Sequence, residues 1–382
     1  MQGMMKITGV VSFLLVAVLA LQRCKQPYVS PYVSPATGYL VVEGYISGNT
    51  PTSFLLSRTV PLSSGTTSPP EANAGVQVEG DDNSIYPLSA QGNGVYGSVG
   101  NLSLNASVNY RLRITTQSGG QYLSDYAQYK VTPPIDSVNW VQNGAGVSIY
   151  ANAHDDAGTT RYYQWDFDET WEYHSAEYAE LEYVPDTIVL RPAADQIYRC
   201  WHNDGSNQIL IASTEKLSKD LVYEQPLQQI PANSVQISVL YSILVRQYAL
   251  TEGGYNFLSL MQKNTESLGT IFDPQPSQLV GNIHCLTNPA EPVIGYVSAG
   301  TVQQQRIFIQ QDQVTNWFYS YTCPMKDTIL PGTEKSLSQN FASQVFTPVA
   351  AAPHNMYSAN YTSCLDCTFQ GGTTDKPSYW PN

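Results

Sequence analysis

Cysteine is the residue type here whose chemistry depends most on spacing, and the chain has six. Cys24 stands apart near the N-terminus. Cys200, Cys285, Cys323, Cys364 and Cys367 form a later set of five. In an exported chain such cysteines meet oxidising conditions and pair, and an odd set leaves one thiol over. Cys364-Leu-Asp-Cys367 has the spacing of a redox motif. That chemistry wants its first cysteine at a helix N-terminus in a βαβ unit, whereas here Thr and Ser flank the motif in a Gly-rich stretch. The same pair supplies half a zinc site, with Cys200-Trp201-His202 and His284-Cys285 as the remaining donors. Structural disulfides are the favoured reading, one of them tying the C-terminal tail to the second domain, with the connectivity open.

Three carboxylates, Asp166, Asp168 and Glu169, invite a glycosidase reading, because that chemistry runs on paired acids. Asp166 and Asp168 share one face of an extended segment, which sets their Cβ atoms about 7 Å apart. They alternate with Tyr163, Trp165 and Phe167, so the plainer reading is the solvent side of an amphipathic strand. Residues 165–183 are the densest aromatic stretch. Trp165, Trp171 and Tyr173 are its candidates for stacking on a sugar or peptide, against the alternative that they pack the sheets. The five histidines show no paired spacing, and no nucleophile elbow, phosphate loop or dinucleotide fingerprint occurs. No catalytic residue, metal ligand or cofactor is nominated, and the chain is expected not to be an enzyme.

The elements that carry these residues are short strands divided by turns. Residues 39–46 and 52–60 flank Ser47-Gly48-Asn49, and residues 75–80 and 84–90 flank Asp81-Asp82-Asn83, a hairpin signal. Tyr110, Leu112 and Ile114 alternate with Arg111 and Arg113, and Ser118-Gly119-Gly120 turns the chain into 121–131. This predicts an immunoglobulin-like β-sandwich over 39–132. Thr132-Pro133-Pro134 marks a boundary. A larger β-rich domain is expected over 135–335, including a long strand at 235–250. One helix is expected near 252–268, with Thr251 as N-cap and Gly269 as stop. Residues 336–382 read as a Cys-containing tail. The predicted class is mainly β.

At the N-terminus, Ile7 to Leu21 is an almost continuous apolar run after Lys6. It falls short of the about 20 residues that span a bilayer but fits the core of a secretory signal. Cys24 follows at once, in the position where a bacterial lipoprotein signal places the cysteine that is acylated. Residues 1–23 are therefore read as signal peptide, and 24–38 as a tether containing the tandem repeat PYVS-PYVS. In a polyproline-like form this tether reaches roughly 40 Å at about 3 Å per residue. The net charge of −13, from 31 acidic and 18 basic residues, disfavours nucleic acid and flat contact with an anionic membrane. Hydrophobic residues at 42% and charged residues at 13% are enough for real cores.

Seven blocks of the chain, LVVEGYIS (40–47), TPPIDSV (132–138), QILIASTEKLS (208–218), YSILVRQYALT (241–251), IFDPQPSQLVGNIHC (271–285), EPVIGYVSAGTVQQQRIFI (291–309) and CLDCTFQGGTTDKPSYW (364–380), together resemble the lipoprotein family of Bacteroidota catalogued as domain of unknown function 4249. They cover nearly the whole mature chain. The resemblance implies an outer-membrane lipoprotein facing the cell surface, a companion of TonB-dependent transporters of the starch-utilisation type. It carries no catalytic residues to transfer. The function expected on these grounds is ligand capture or complex assembly beside such a transporter, with a freestanding glycan- or peptide-binding module as the alternative and a hydrolase behind both.

Overall fold

A computed structural model describes residues 38–61, 64–185, 187–266, 279–321, 323 and 328–381. The signal segment, Cys24, most of the tether and Gly269 lie outside them.

Alternation builds the first unit. In strand Pro51–Arg58, buried Thr52, Phe54 and Leu56 alternate with exposed Pro51, Ser53 and Leu55. In strand Tyr110–Thr115, Tyr110, Leu112 and Ile114 enter the core. On the other face Arg111 and Arg113 both reach Glu79 of the paired strand Gly75–Gly80, at 2.8 and 2.5 Å. Asp81-Asp82-Asn83 turns that strand into Ile85–Gly92, with Asn83 in the left-handed region at φ 70°. Ten strands follow one hydrogen-bonded path from Ile283–Cys285 through Gln121–Ser124 to Leu40–Ser47, Ala299–Gly300 and finally Tyr129–Lys130. Ser124 and Tyr129 thus sit near opposite ends of a path that would be roughly 40 Å wide if flat. The short chain between them cannot span that width, so the sheet curls over a single core.

The second unit packs a three-stranded sheet, Leu221–Pro231, Gly146–His154 and Ile135–Asn143, on a larger one. The larger sheet holds Arg199–Gly205, Tyr162–His174, Leu240–Ala249 and Val302–Gln310, and Leu210–Ser213 extends it beside Tyr162–Trp165. Val147, Ile149 and Ala151 face Trp165, Phe167, Ile243 and Val245 in the shared core. Each such large side chain contributes about 1.5–3 kcal/mol on burial. The strand expected from 235 begins only at Leu240, because Val235–Ile237 coil into a 3-10 turn first.

Thr251 caps the helix Glu252–Glu266, its Oγ1 accepting from the Gly254 N–H at 3.2 Å. Gly253 and Gly254 allow close approach here. A Cβ on Gly253 would lie 2.5 Å from the Tyr296 hydroxyl, and one on Gly254 would lie 3.2 Å from Ser298 Oγ. The helix is thereby seated against the segment that leads into Ala299–Gly300.

Two boundaries differ from the sequence reading. The body expected over 135–335 is interrupted, since Ile283, Cys285, Val293, Val297 and Ala299 return to the first core. The expected tail is folded: Thr328–Pro331, Met356–Tyr361 and Phe346–Ala352 form a third sheet. A second helix, Glu334–Phe341, buries Leu337 and Phe341 beside Tyr183 and Ile188. Thr362–Leu365 adds a single helical turn. Strands of four, six and seven residues carry too little pattern to be read, and the helix Glu334–Phe341 shows itself only by Leu337 and Phe341 four residues apart behind the Thr333 cap.

The chain crosses between units at Thr132 and again at Thr301, and the crossings are bound together. Thr132 Oγ1 donates to the Thr301 carbonyl at 2.5 Å and accepts from the Ala249 N–H at 3.0 Å. Gln247 links the Pro133 carbonyl to Trp165 Nε1, both at 2.9 Å. Thr132→Val keeps the volume but strands two buried backbone groups, at an expected cost of about 2 kcal/mol. Amide exchange at Ala249 should accelerate in the variant, while exchange at Leu112 in the first core is unchanged. Equal rates at Ala249 in both proteins would remove this lock.

Candidate functional site

Between the two units lies a cleft of about 990 Å³. Strand Leu40–Ser47 and residues 294–298 form one side, the helix Glu252–Glu266 the end, and the larger sheet of the second unit the floor. Tyr45, Phe257, Met261, Ile294 and Tyr296 supply apolar and aromatic wall. Tyr296 meets Phe257 at 5.7 Å between ring centres, and Tyr45 meets Tyr248 edge-on at 5.0 Å.

The floor carries the charge. Arg246 lies directly across from Asp166 in the strand pairing, so Asp168, two residues along on the same face, is its diagonal neighbour. The guanidinium forks accordingly: Nε donates to Asp166, and Nη1 and Nη2 donate to Asp168, the latter at 3.0 Å. The Tyr248 hydroxyl donates to Asp166 at 2.8 Å. Burial pushes the Asp166 carboxyl above its ordinary value, although Arg246 and Tyr248 pull the other way. Burial and the Asp166 charge together raise Tyr248. Burial disfavours the charge on Arg246, yet the two carboxylates outweigh it and raise its pKa further. The arrangement is a charge clamp in which one guanidinium engages both carboxylates while Asp168 stays open to the cleft.

The carboxylates read from the sequence therefore separate. Asp166 and Asp168 do share a face, which looks into the cleft. Glu169 points the opposite way into the sandwich core, 3% exposed, where Tyr241, Gln228 and Gln236 donate to it at 2.7, 3.2 and 3.1 Å.

The aromatic candidates are corrected. Trp165, Trp171 and Tyr173 are 1%, 8% and 1% exposed and present no stacking surface. The reason is that all three lie on the face of strand Tyr162–His174 that packs into the core of the second unit. Beyond Glu169 residues 367–380 close around the strand: on the core face Tyr173 donates to the Cys367 carbonyl at 2.9 Å, and on the other face Thr170 meets the Tyr379 hydroxyl at 2.7 Å and Trp380 Nε1 donates to Glu172 at 2.9 Å.

The cysteines resolve into Cys200–Cys367 and Cys323–Cys364, with Cα separations of 5.7 and 5.6 Å. The Cys-x-x-Cys pair thus splits between two bridges. The first joins the C-terminal segment to strand Arg199–Gly205. Among the described cysteines Cys285 is the unpaired one, buried in the first core. Among the described residues, no three of His, Cys, Asp and Glu gather as a metal site, and no helix is long and apolar enough to cross a membrane.

The residues that sequence reasoning missed are Arg246, Tyr248, Tyr45 and Tyr296. Arg246 and Tyr248 alternate with buried Ile243, Val245 and Gln247, a visible signal that a polar face existed. A family model described as domain of unknown function (DUF4249) matches residues 27–306. No curated protein matches the chain.

Proposed function

The chain belongs to the DUF4249 family, and on that premise we propose that it is a lipid-anchored outer-membrane protein that captures a ligand in the inter-unit cleft for a TonB-dependent transporter. The cleft is the observation that carries this reading. Its volume falls within the about 300–1,000 Å³ of small-ligand pockets, and it combines an apolar wall with a few convergent polar groups. The tied crossings at Thr132 and Thr301 favour a preformed site, which lowers the ordering cost of binding.

Capture is a better account than turnover. Asp166 and Asp168, the candidate acids, are both ion-paired to one guanidinium, which is not the arrangement of two separate carboxyls flanking a scissile bond that a glycosidase uses. Anchoring rests on the apolar run before Cys24. Acyl chains contribute about 0.8 kcal/mol per buried CH₂, and the tether then holds the body clear of the bilayer on the cell surface.

Affinity purification from native membranes, followed by mass spectrometry, tests the reading. Wild type is expected to bring down an outer-membrane transporter and to incorporate a palmitate analogue. Cys24→Ala should lose both the label and the membrane fraction. Recovery of the protein alone, or undiminished labelling of Cys24→Ala, overturns it.

A further inference from the structure

The proposed cleft has a lopsided charge. Among its described lining residues, Glu43, Asp166 and Asp168 are acidic and Arg246 alone is basic. Arg246 already donates to both aspartates, so its charge is offset within the floor. Asp168 keeps 55% of its side chain exposed, and Glu43 is exposed on the facing strand. The open space between them is therefore negative, and it adjoins the wall made by Phe257, Met261 and Tyr296. Carboxylate or phosphate ligands would meet like charge. A positive group would gain charge-assisted hydrogen bonds to Asp168 and the attraction of nearby aromatic faces.

We infer that the cleft takes a ligand presenting an alkylammonium or guanidinium group on an apolar body, as a short peptide with a basic side chain does. This rests on the capture reading and adds to it the chemical class. Arg246 holds the two carboxylates in place, and Asp168 is the residue that meets the ligand's cation.

Calorimetric titration of the full chain with three end-capped tripeptides tests it: Leu-Lys-Leu, the same peptide acetylated on its lysine, and Leu-Glu-Leu. The lysine peptide is expected to bind at least about tenfold more tightly than either of the others. Asp168→Asn, which keeps an acceptor for Arg246, should abolish that preference, and Glu43→Gln, on an exposed side chain, should reduce it. Equal binding of the acetylated or glutamate peptide overturns the cationic class while leaving capture intact. Binding of none of the three overturns the class too, and capture then stands or falls on the membrane purification, which does not depend on ligand charge. A lysine preference that survives both substitutions removes the assigned residues and overturns the inference.

Discussion

Replacing Cys200 and Cys367 together by alanine is expected to lower stability by about 5 kcal/mol, and replacing Cys323 and Cys364 together by about 4 kcal/mol. The sizes follow from loop closure: the bridges span sequence separations of 167 and 41, and a longer loop removes more entropy from the unfolded chain. The native contacts point the same way. Both Cys200 and Cys367 are fully buried, and their bridge pins the segment that Thr373 pairs with Trp201 through two backbone hydrogen bonds of 2.8 and 2.9 Å. Urea unfolding followed by tryptophan fluorescence reads this directly, since Trp201 and Trp380 share one apolar cluster. The expected order is wild type, then the Cys323/Cys364 variant, then the Cys200/Cys367 variant. The reverse order, or a loss below about 1 kcal/mol for both, would show that the bridges do not restrain the unfolded chain.

How much of this was legible beforehand depended on whether a strand has one wet face. Tyr110, Leu112 and Ile114 could be read because Arg111 and Arg113 alternate with them and meet solvent and Glu79. Strand Val95–Asn101 was missed because Gly97 and Gly100 interrupt its pattern. Strand Leu221–Pro231 was hidden by Gln and Pro and by a register break near Glu224, which has φ 49°. Trp165, Trp171 and Tyr173 were legible as aromatic but not as inaccessible. Their cover is the core of the second unit, assembled from strands far along the chain and, at Tyr173, from Cys367, and no local pattern announces it. The site shows the same division. Asp166 and Asp168 could be placed on one face from spacing alone. That Arg246 would lie opposite Asp166 is a matter of strand register, which a single sequence does not carry. Likewise an odd number of cysteines foretold a leftover thiol, but only the fold determines that it is Cys285.

Glu172 supplies the sharpest pH dependence. It is 4% exposed near the end of strand Tyr162–His174, and burial alone would raise its pKa. His174 at 3.3 Å, Arg199 at 2.5 and 2.8 Å and Trp380 at 2.9 Å overcome that and hold it at about 2, below an ordinary value of 4.5. A carboxyl whose pKa is depressed by folding stabilises the native state while it is ionised there. That contribution is complete above the unfolded value near 4.5 and drains away as pH falls towards 2, and it amounts to about 3 kcal/mol. Glu172→Gln keeps the shape but removes the charge, leaving Arg199 without its counter-ion and Trp380 with a weaker acceptor. At pH 7 the variant should be less stable by about that amount, and its stability should fall less steeply than wild type between about pH 5 and 2. By pH 2 the two curves should converge. Acid limbs that run parallel across that range would mean that the C-terminal Trp380 is held by packing alone, and the charge on Glu172 would then have no part in closing the fold.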